Sequence, residues 1–301
     1  MGTIVAFICG WALSGGVDST TLSAILAPVL RERLFAMTID GGHLRERELD
    51  EIKRSAAIAG VNLLVVDARE EFAAAMASIN NMEGAAEQKR RIFKQVYPEL
   101  FIRAAQPIGV GVAIQGTLAA DVIESGATGG ALIKSHHNVG LNMGNLEQLH
   151  PIDHLFKYEV RALAQEIGLP KNIYNRQPFP GPGLFIRVVG MPLTPESLDI
   201  VRWADGRVRE ILQKRGLYDD ISHLVVAYGN LLTTGVKGDA RAYKPTIVVR
   251  AVKTLDFMTA RGVRFPDEVE EEIESVLSRH PEIGAVMHYP MSKPPATTEL
   301  E

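Results

Sequence analysis

What most constrains this chain is the rhythm of its first half, where short apolar runs alternate with stretches of helical spacing. Ile4-Val5-Ala6-Phe7-Ile8-Cys9 reads as a buried strand, and a glycine-rich turn carries it into a helix over about residues 20–32. Residues 34–39 read as a second strand, 45–59 as a helix, 62–66 as a third strand, 98–105 as part of a helix and 110–115 as a fourth strand. This order predicts an α/β architecture, a doubly wound, mostly parallel sheet with helices on both faces. Ligands of such sheets sit beyond the carboxyl ends of the strands.

The rhythm breaks at Arg176-Gln177-Pro178-Phe179-Pro180-Gly181-Pro182-Gly183, where the prolines and glycines cannot continue a helix. This reads as a junction between residues 1–176 and 177–301. The second part carries helical spacing over 196–215 and 266–278 and apolar strands over 224–228, 246–252 and 283–289, a small α+β unit. Composition alone makes the tail, residues 292–301, a solvated end.

Asp and Glu number 36 and Lys and Arg 32, so the net charge of −4 argues against a nucleic-acid coat or a polybasic membrane protein. One cysteine, Cys9 in an apolar run, excludes a disulfide framework and a Cys-rich zinc site, and a reducing cytoplasm suits it. The longest apolar run, over residues 4–13, is about half a bilayer span.

The sharpest motif is Ser14-Gly15-Gly16-Val17-Asp18-Ser19-Thr20, between the first strand and the first helix. That position offers backbone N–H groups and the positive end of a helix to an anion. The glycines allow close approach, and the hydroxyls of Ser14, Ser19 and Thr20 can donate to phosphate oxygens. The lysine of a Walker loop and the three-glycine spacing of a dinucleotide fold are both missing. The spacing favours a phosphate loop, with a Gly-Gly turn and a Ser or Asp cap on the next helix as the plainer alternative. Asp121 and Glu124, one helical turn apart, could share a face toward Mg²⁺ or a ribose, with capping by Asp121 as the alternative. Adjacent His136 and His137 do not suit one coordination sphere, and no zinc is expected.

The string Ser-Gly-Gly-Val-Asp-Ser closely matches the pyrophosphate loop of the N-type ATP pyrophosphatases. Further segments narrow the likeness: Gln115-Gly116-Thr117 with Asp121-Val122-Ile123-Glu124-Ser125, Ile133-Lys134-Ser135-His136-His137-Asn138-Val139-Gly140, Pro178-Phe179-Pro180-Gly181-Pro182-Gly183-Leu184, and Ser292-Lys293-Pro294-Pro295-Ala296-Thr297. In this order they resemble the synthetase part of the GMP synthase family, over residues 5–301. The resemblance implies an adenine nucleotide alpha hydrolase-like ATP-pyrophosphatase domain over 1–176 and a dimerisation and XMP-binding domain over 177–301. It implies a cytoplasmic ligase in which ATP adenylates O2 of XMP and ammonia then attacks C2, giving GMP, AMP and pyrophosphate, with Mg²⁺ beside ATP.

The same resemblance distributes roles. Ser14, Gly15, Gly16, Val17, Asp18, Ser19 and Thr20 hold ATP and pyrophosphate. Asp18, Asp121, Lys134 and Lys157 serve catalysis, and Asp18 and Asp121 also touch the metal. Arg90, Asp239, Lys293, Thr298 and Glu299 bind XMP. Each has a plainer alternative: a solvated lysine at 134 or 157, a solvated charge run around Lys89-Arg90-Arg91, a Gly-Asp turn at 239 and a disposable tail. The chain departs from the family pattern at Ala119-Ala120, Gln177, Leu300 and Gly10-Trp11.

No Gly-x-Cys-x-Gly elbow of a glutaminase occurs in the sequence. The expectation is therefore a synthetase that uses free ammonia when alone and glutamine only through a separate glutaminase subunit. It is also expected to form a homodimer through its C-terminal domain, with no nucleic-acid or membrane partner. A related ligase with another acceptor is disfavoured by the C-terminal part and its Lys-Pro-Pro-Ala-Thr tail. A non-catalytic nucleotide-binding protein is disfavoured by the intact loop.

Overall fold

The computed structural model describes residues 4–7, 16–79, 84–124, 144–237, 240–255 and 257–300. The chain divides into two compact units, one of residues 1–41, 47–72 and 92–181, the other of residues 42–46, 73–91 and 182–301.

Along the first part run β1 (Ile4–Phe7), α1 (Val17–Leu30), β2 (Leu34–Asp40), α2 (Glu48–Ala59), β3 (Asn62–Asp67), α3 (Arg69–Met76), α4 (Ala85–Ala105), β4 (Val110–Ile114), α5 (Ala119–Glu124), β5 (Glu147–Leu149), α6 (Lys157–Glu166) and α7 (Lys171–Tyr174). The strands line up as β3-β2-β1-β4-β5, with every neighbouring pair parallel. The chain steps outward from β1 to β2 and β3, then crosses back to β4 and on to β5. Right-handed crossovers then put α1 and α2 on one face and α4 on the other, the doubly wound sheet expected from the alternation. β5 was not foreseen, because Glu147-Gln148-Leu149 is exposed throughout and carries no apolar signal.

Buried Ala36, Met37 and Ile39 of β2 and Ala113 and Ile114 of β4 form the sheet core with Leu22, Ile52 and Phe93 from the helices. Phe93 lies 5.1 Å from Phe72 and stacks on Tyr97 at 5.3 Å between ring centroids. α4 extends well upstream of the segment read as helical. Pro98 removes one of its backbone bonds, but buried Phe93, Tyr97, Leu100, Phe101 and Ala105 hold the helix through it. Gly41 follows β2 where a Cβ would meet the Phe72 ring at 2.4 Å, so only glycine fits.

The second unit contains β6 (Val188–Val189), α8 (Pro195–Lys214), β7 (His223–Lys237), β8 (Ala240–Lys253), β9 (Arg261–Val263), α9 (Asp267–Leu277) and β10 (Ala285–His288). Its sheet runs β10-β8-β7-β6, with β9 also on β8. β7 and β8 form a long antiparallel pair, flanked by parallel β10 and β6. Thr194 caps α8, its hydroxyl accepting from Ser197 N–H at 3.2 Å, with Pro195 in the first turn. The buried stripe Ile200, Val201, Ala204, Val208, Ile211, Leu212 follows helical period, and α8 packs on β7 and α9. Val269, Ile273 and Leu277, four apart, make the buried face of α9. Segment 42–46 is fastened by α8: Arg202 donates to Gly42 O at 2.6 Å and Leu44 O at 3.0 Å, and Arg207 pairs with Glu46 at 2.9 Å. Among the described residues no helix is long and apolar enough to cross a membrane.

Candidate functional site

In the first unit β1 and β4 are neighbours from which the chain departs in opposite directions. The space beyond their carboxyl ends is the switch point where such sheets bind ligands. Gly16 and α1 follow β1, and residues 115–118 follow β4. Gly16 is the N-cap of α1, in extended backbone, and among the described residues no side chain caps the helix. The N–H groups of the first turn therefore face outward with the positive end of the helix dipole. The Gly16 carbonyl accepts from Thr20 N–H at 3.1 Å, Ser19 Oγ at 2.9 Å and Thr20 Oγ at 3.0 Å. Here these hydroxyls back-bond within the helix, a common habit of Ser and Thr, rather than pointing outward. Ser14 and Gly15 lie outside the described residues, as does Lys134.

α1 packs against α6, which brings Lys157 to Asp18 from 139 residues away. Lys157 Nζ donates to Asp18 Oδ2, while Asp18 Oδ1 is buried with no hydrogen-bond partner among the described residues. Among the described residues no group of three or more His, Cys, Asp or Glu is arranged to hold a metal. Asp18 Oδ1 still offers the single carboxylate oxygen that Mg²⁺ typically combines with phosphate oxygens and water. Asp121 takes the capping alternative, Oδ2 accepting from Leu118 N–H at 2.9 Å. Gln115 and Thr117 are buried; Gln115 Nε2 donates to Gln148 at 2.7 Å and Thr117 Oγ lies 2.8 Å from His150 Nδ1. His150 belongs to no motif, and nothing in the sequence singled it out.

In the second unit the tail is docked, against what its composition suggests. Ala260 and Lys293 exchange backbone bonds at 3.0 and 2.7 Å, and Lys293 Nζ donates to Phe257 O at 2.6 Å. Buried Arg250 of β8 donates to two tail carbonyls, Thr297 at 2.8 Å and Thr298 at 3.3 Å, and to two just before the tail, Met291 at 2.6 Å and Tyr289 at 3.1 Å. Glu299 accepts from His223 Nε2 at 2.7 Å and from Arg187 at 3.3 Å. Burial pushes the Glu299 carboxyl up, but Arg187 and His223 more than offset this and hold it at about 2. Arg187 also meets fully buried Asp205 at 3.2 Å, and Arg45 and Arg209 reach the same carboxylate at 3.2 and 2.8 Å.

Lys89 and Arg90 behave differently within one charge run. Lys89 is buried with Nζ on Val188 O, whereas Arg90 faces Glu87 at 3.9 Å and is a fifth exposed. Asp239 lies outside the described residues. Thr298 and Glu299 thus come together around Arg187, His223 and Arg250. Sequence reading named none of these three as site residues, although Arg187 and Arg250 each interrupt an apolar run.

Comparison with known proteins matches residues 210–300 to the GMP synthase C terminal domain and residues 7–127 to the Asparagine synthase family. The chain is 44% identical to one named subunit of the GMP synthase [glutamine-hydrolyzing] of Pyrococcus furiosus over 294 residues, 96% of this chain and 90% of that protein. It is 42% identical to the corresponding subunit of Thermococcus kodakarensis, covering 92% of it. The GMP synthase [glutamine-hydrolyzing] of Thermus thermophilus is 43% identical over 295 residues, which make up 58% of that longer chain. A solved NH3-dependent NAD synthetase from Campylobacter jejuni aligns with a TM-score of 0.44 at 16% identity, over 72% of this chain and 82% of that one, too distant to carry an argument.

Proposed function

This chain belongs to the GMP synthase family, and on that premise we propose how its residues perform the ATP-dependent amination of XMP to GMP. The reaction forms a C–N bond. O2 of XMP attacks the α-phosphorus of ATP and pyrophosphate leaves; ammonia then attacks C2 and AMP leaves. No covalent enzyme intermediate is needed, so the protein's work is positioning and charge neutralisation.

The observation that carries the assignment of the ATP site is the uncapped start of α1 at the sheet's switch point, with Asp18 and Lys157 paired beside it. The N–H groups of residues 17–19, in the first turn of α1, suit the departing pyrophosphate. Lys157 supplies positive charge near the phosphates and fixes Asp18. Lys134 is assigned a second cation for the same charge, and Asp121 shapes the loop after β4 through its bond to Leu118. Mg²⁺, which would be held by Asp18 Oδ1 with Asp121 as a further candidate, supplies neutralisation of the polyphosphate charge when bound.

Residues 1–176 are assigned the ATP-pyrophosphatase role, and 177–301 XMP binding and dimerisation. Lys293, Thr298 and Glu299 share the docked tail, which supports one substrate surface there; Arg90 and Asp239 are assigned to the same ligand. Leu231, Leu232 and Tyr243, exposed on the β7–β8 arm, support a homodimer through this unit. Ammonia comes from a separate glutaminase subunit, a reading supported by relatives that are themselves named as one subunit of a glutamine-hydrolyzing enzyme. The enzyme works in the cytoplasm without nucleic acid or membrane.

The test is to measure AMP, pyrophosphate and GMP from ATP, Mg²⁺ and XMP, with ammonium or glutamine as nitrogen source. GMP with ammonium but not with glutamine is expected. Folded protein that binds ATP yet forms no product from XMP with either source would refute the assignment.

A further inference from the structure

β9 pairs with the end of β8 so that Lys253 stands directly opposite Arg261. Like charges placed opposite each other across two strands repel, which makes this a costly arrangement for a stretch with no other task. Both side chains are exposed, and among the described residues neither has a hydrogen bond or ion pair to relieve the repulsion. They line one open recess of about 470 Å³, whose wall also includes Lys293 of the docked tail. Three cations thus converge on a single hollow. Lys293 Nζ is anchored on Phe257 O, and Thr254 Oγ donates to Thr259 O at 2.5 Å while accepting from Phe257 N–H at 2.9 Å, so Thr254, Phe257, Thr259 and Lys293 are tied together. Leu255, on the same wall, is fully exposed. A solvated leucine beside the Lys253–Arg261 pair fits a ligand with both an apolar part and an anionic part, rather than a bare ion.

We propose that Lys253 and Arg261 seat the phosphate monoester of the acceptor nucleotide, next to Lys293, with Leu255 against its sugar or base. The proposal rests on the reading of this chain as an XMP-aminating enzyme, and adds two residues to its substrate site. The Arg261 guanidinium can donate in pairs to phosphate oxygens, and Lys253 supplies a point charge. A phosphate dianion bound between them would convert the repulsive pair into a bridged one. Stability without ligand and affinity for ligand should therefore move in opposite directions when a charge is removed.

The experiment measures XMP and ATP binding to the whole protein by calorimetry, together with melting temperature without ligand, for Lys253→Gln, Arg261→Gln and Arg261→Lys. Losing one charged hydrogen-bonding partner should weaken XMP about tenfold or more, leave ATP within about twofold, and leave the melting temperature unchanged or higher. Arg261→Lys should recover part of the XMP affinity. Inorganic phosphate should compete with XMP in the wild type and less well in the variants. XMP affinity within about twofold of wild type in both Gln variants overturns the proposal, as does a matched fall in ATP affinity or in melting temperature. Wild-type protein that binds XMP but does not turn it over would sink the assigned reaction while leaving this test of the recess intact.

Discussion

Arg250→Met tests whether one buried guanidinium shapes the tail. The substitution keeps an unbranched apolar stem and removes the donors to Met291, Thr297, Tyr289 and Thr298 carbonyls, at 2.6, 2.8, 3.1 and 3.3 Å. Hydrogen bonds to a charged group contribute about 1.5–3 kcal/mol each, but the four cannot be summed. The carbonyls belong to residues that are themselves partly or fully exposed, so water replaces much of what is lost. Opening the tail should become easier by about 3 kcal/mol, roughly a hundredfold in the opening equilibrium. The assay is amide hydrogen exchange at Lys293 and Ala260, which bond each other at 2.7 and 3.0 Å, and at Ala296, which donates to Ser292 O at 3.1 Å. Exchange should quicken about a hundredfold there and little at Leu212 in α8's buried stripe. Arg250→Lys, reaching fewer carbonyls, should fall between. Tail exchange within about threefold of wild type, or an equal rise throughout α8, would refute the reasoning.

Further outcomes follow from the geometry. Burial, with Arg202 nearby, holds His43 at about 3, below its ordinary value of 6.5, so the unfolded chain binds the extra proton between those values; stability should fall as pH drops from about 6.5 toward 3, and His43→Gln should flatten that part of a denaturation series. Glu299 is held at about 2 against an ordinary value of 4.5, so its contribution is complete above about 4.5 and disappears as pH falls toward 2, a window that Glu299→Gln should erase from the same measurement. Gly41→Ala pushes a methyl to within 2.4 Å of the Phe72 ring and should lower stability by about 1–3 kcal/mol in urea melts. Lys157→Met, at a pair whose lysine is 37% exposed, should change stability by under about 1 kcal/mol yet cut pyrophosphate release more than about tenfold.

The sheet of the first unit was legible because β1, β2, β3 and β4 are apolar runs bounded by turn residues, and apolar periodicity is what a parallel sheet writes into a sequence. β5 was not, since a short exposed edge strand is defined by its partner's hydrogen bonds and not by its own residues. The turn from β1 into a helix was legible from the Gly-Gly-Val-Asp string, but α1 begins at Val17, earlier than the helix read from about residue 20, because Gly16 itself is the N-cap. The Asp18–Lys157 pair depends on how α1 packs on α6, which no local pattern encodes. The tail was misjudged by composition: Pro294, Pro295 and Thr297 look like a loose end, and what docks them includes Arg250, more than forty residues earlier, and His223, more than seventy residues before Glu299. Arg187 and Asp205 were passed over because a charge in an apolar run gives no hint of its partner, and the partner here lies on α8.

The grip of α8 on residues 42–46 bears on how the chain assembles. Arg202 bonds to carbonyls 158 and 160 residues before it, and Arg207 to a carboxylate 161 residues before it. Closing loops of that length has an entropic cost that must be met before any of these bonds can form. During synthesis the five-residue segment emerges long before the helix that receives it, so the second unit reaches its final form only when an early piece of the chain is recruited to a late one. A cut at the proline-rich junction would leave residues 182–301 with arginines aimed at an empty groove. The second unit therefore cannot complete itself from consecutive residues alone, and the slow step of renaturation should follow mutations in α8 as closely as mutations in residues 42–46.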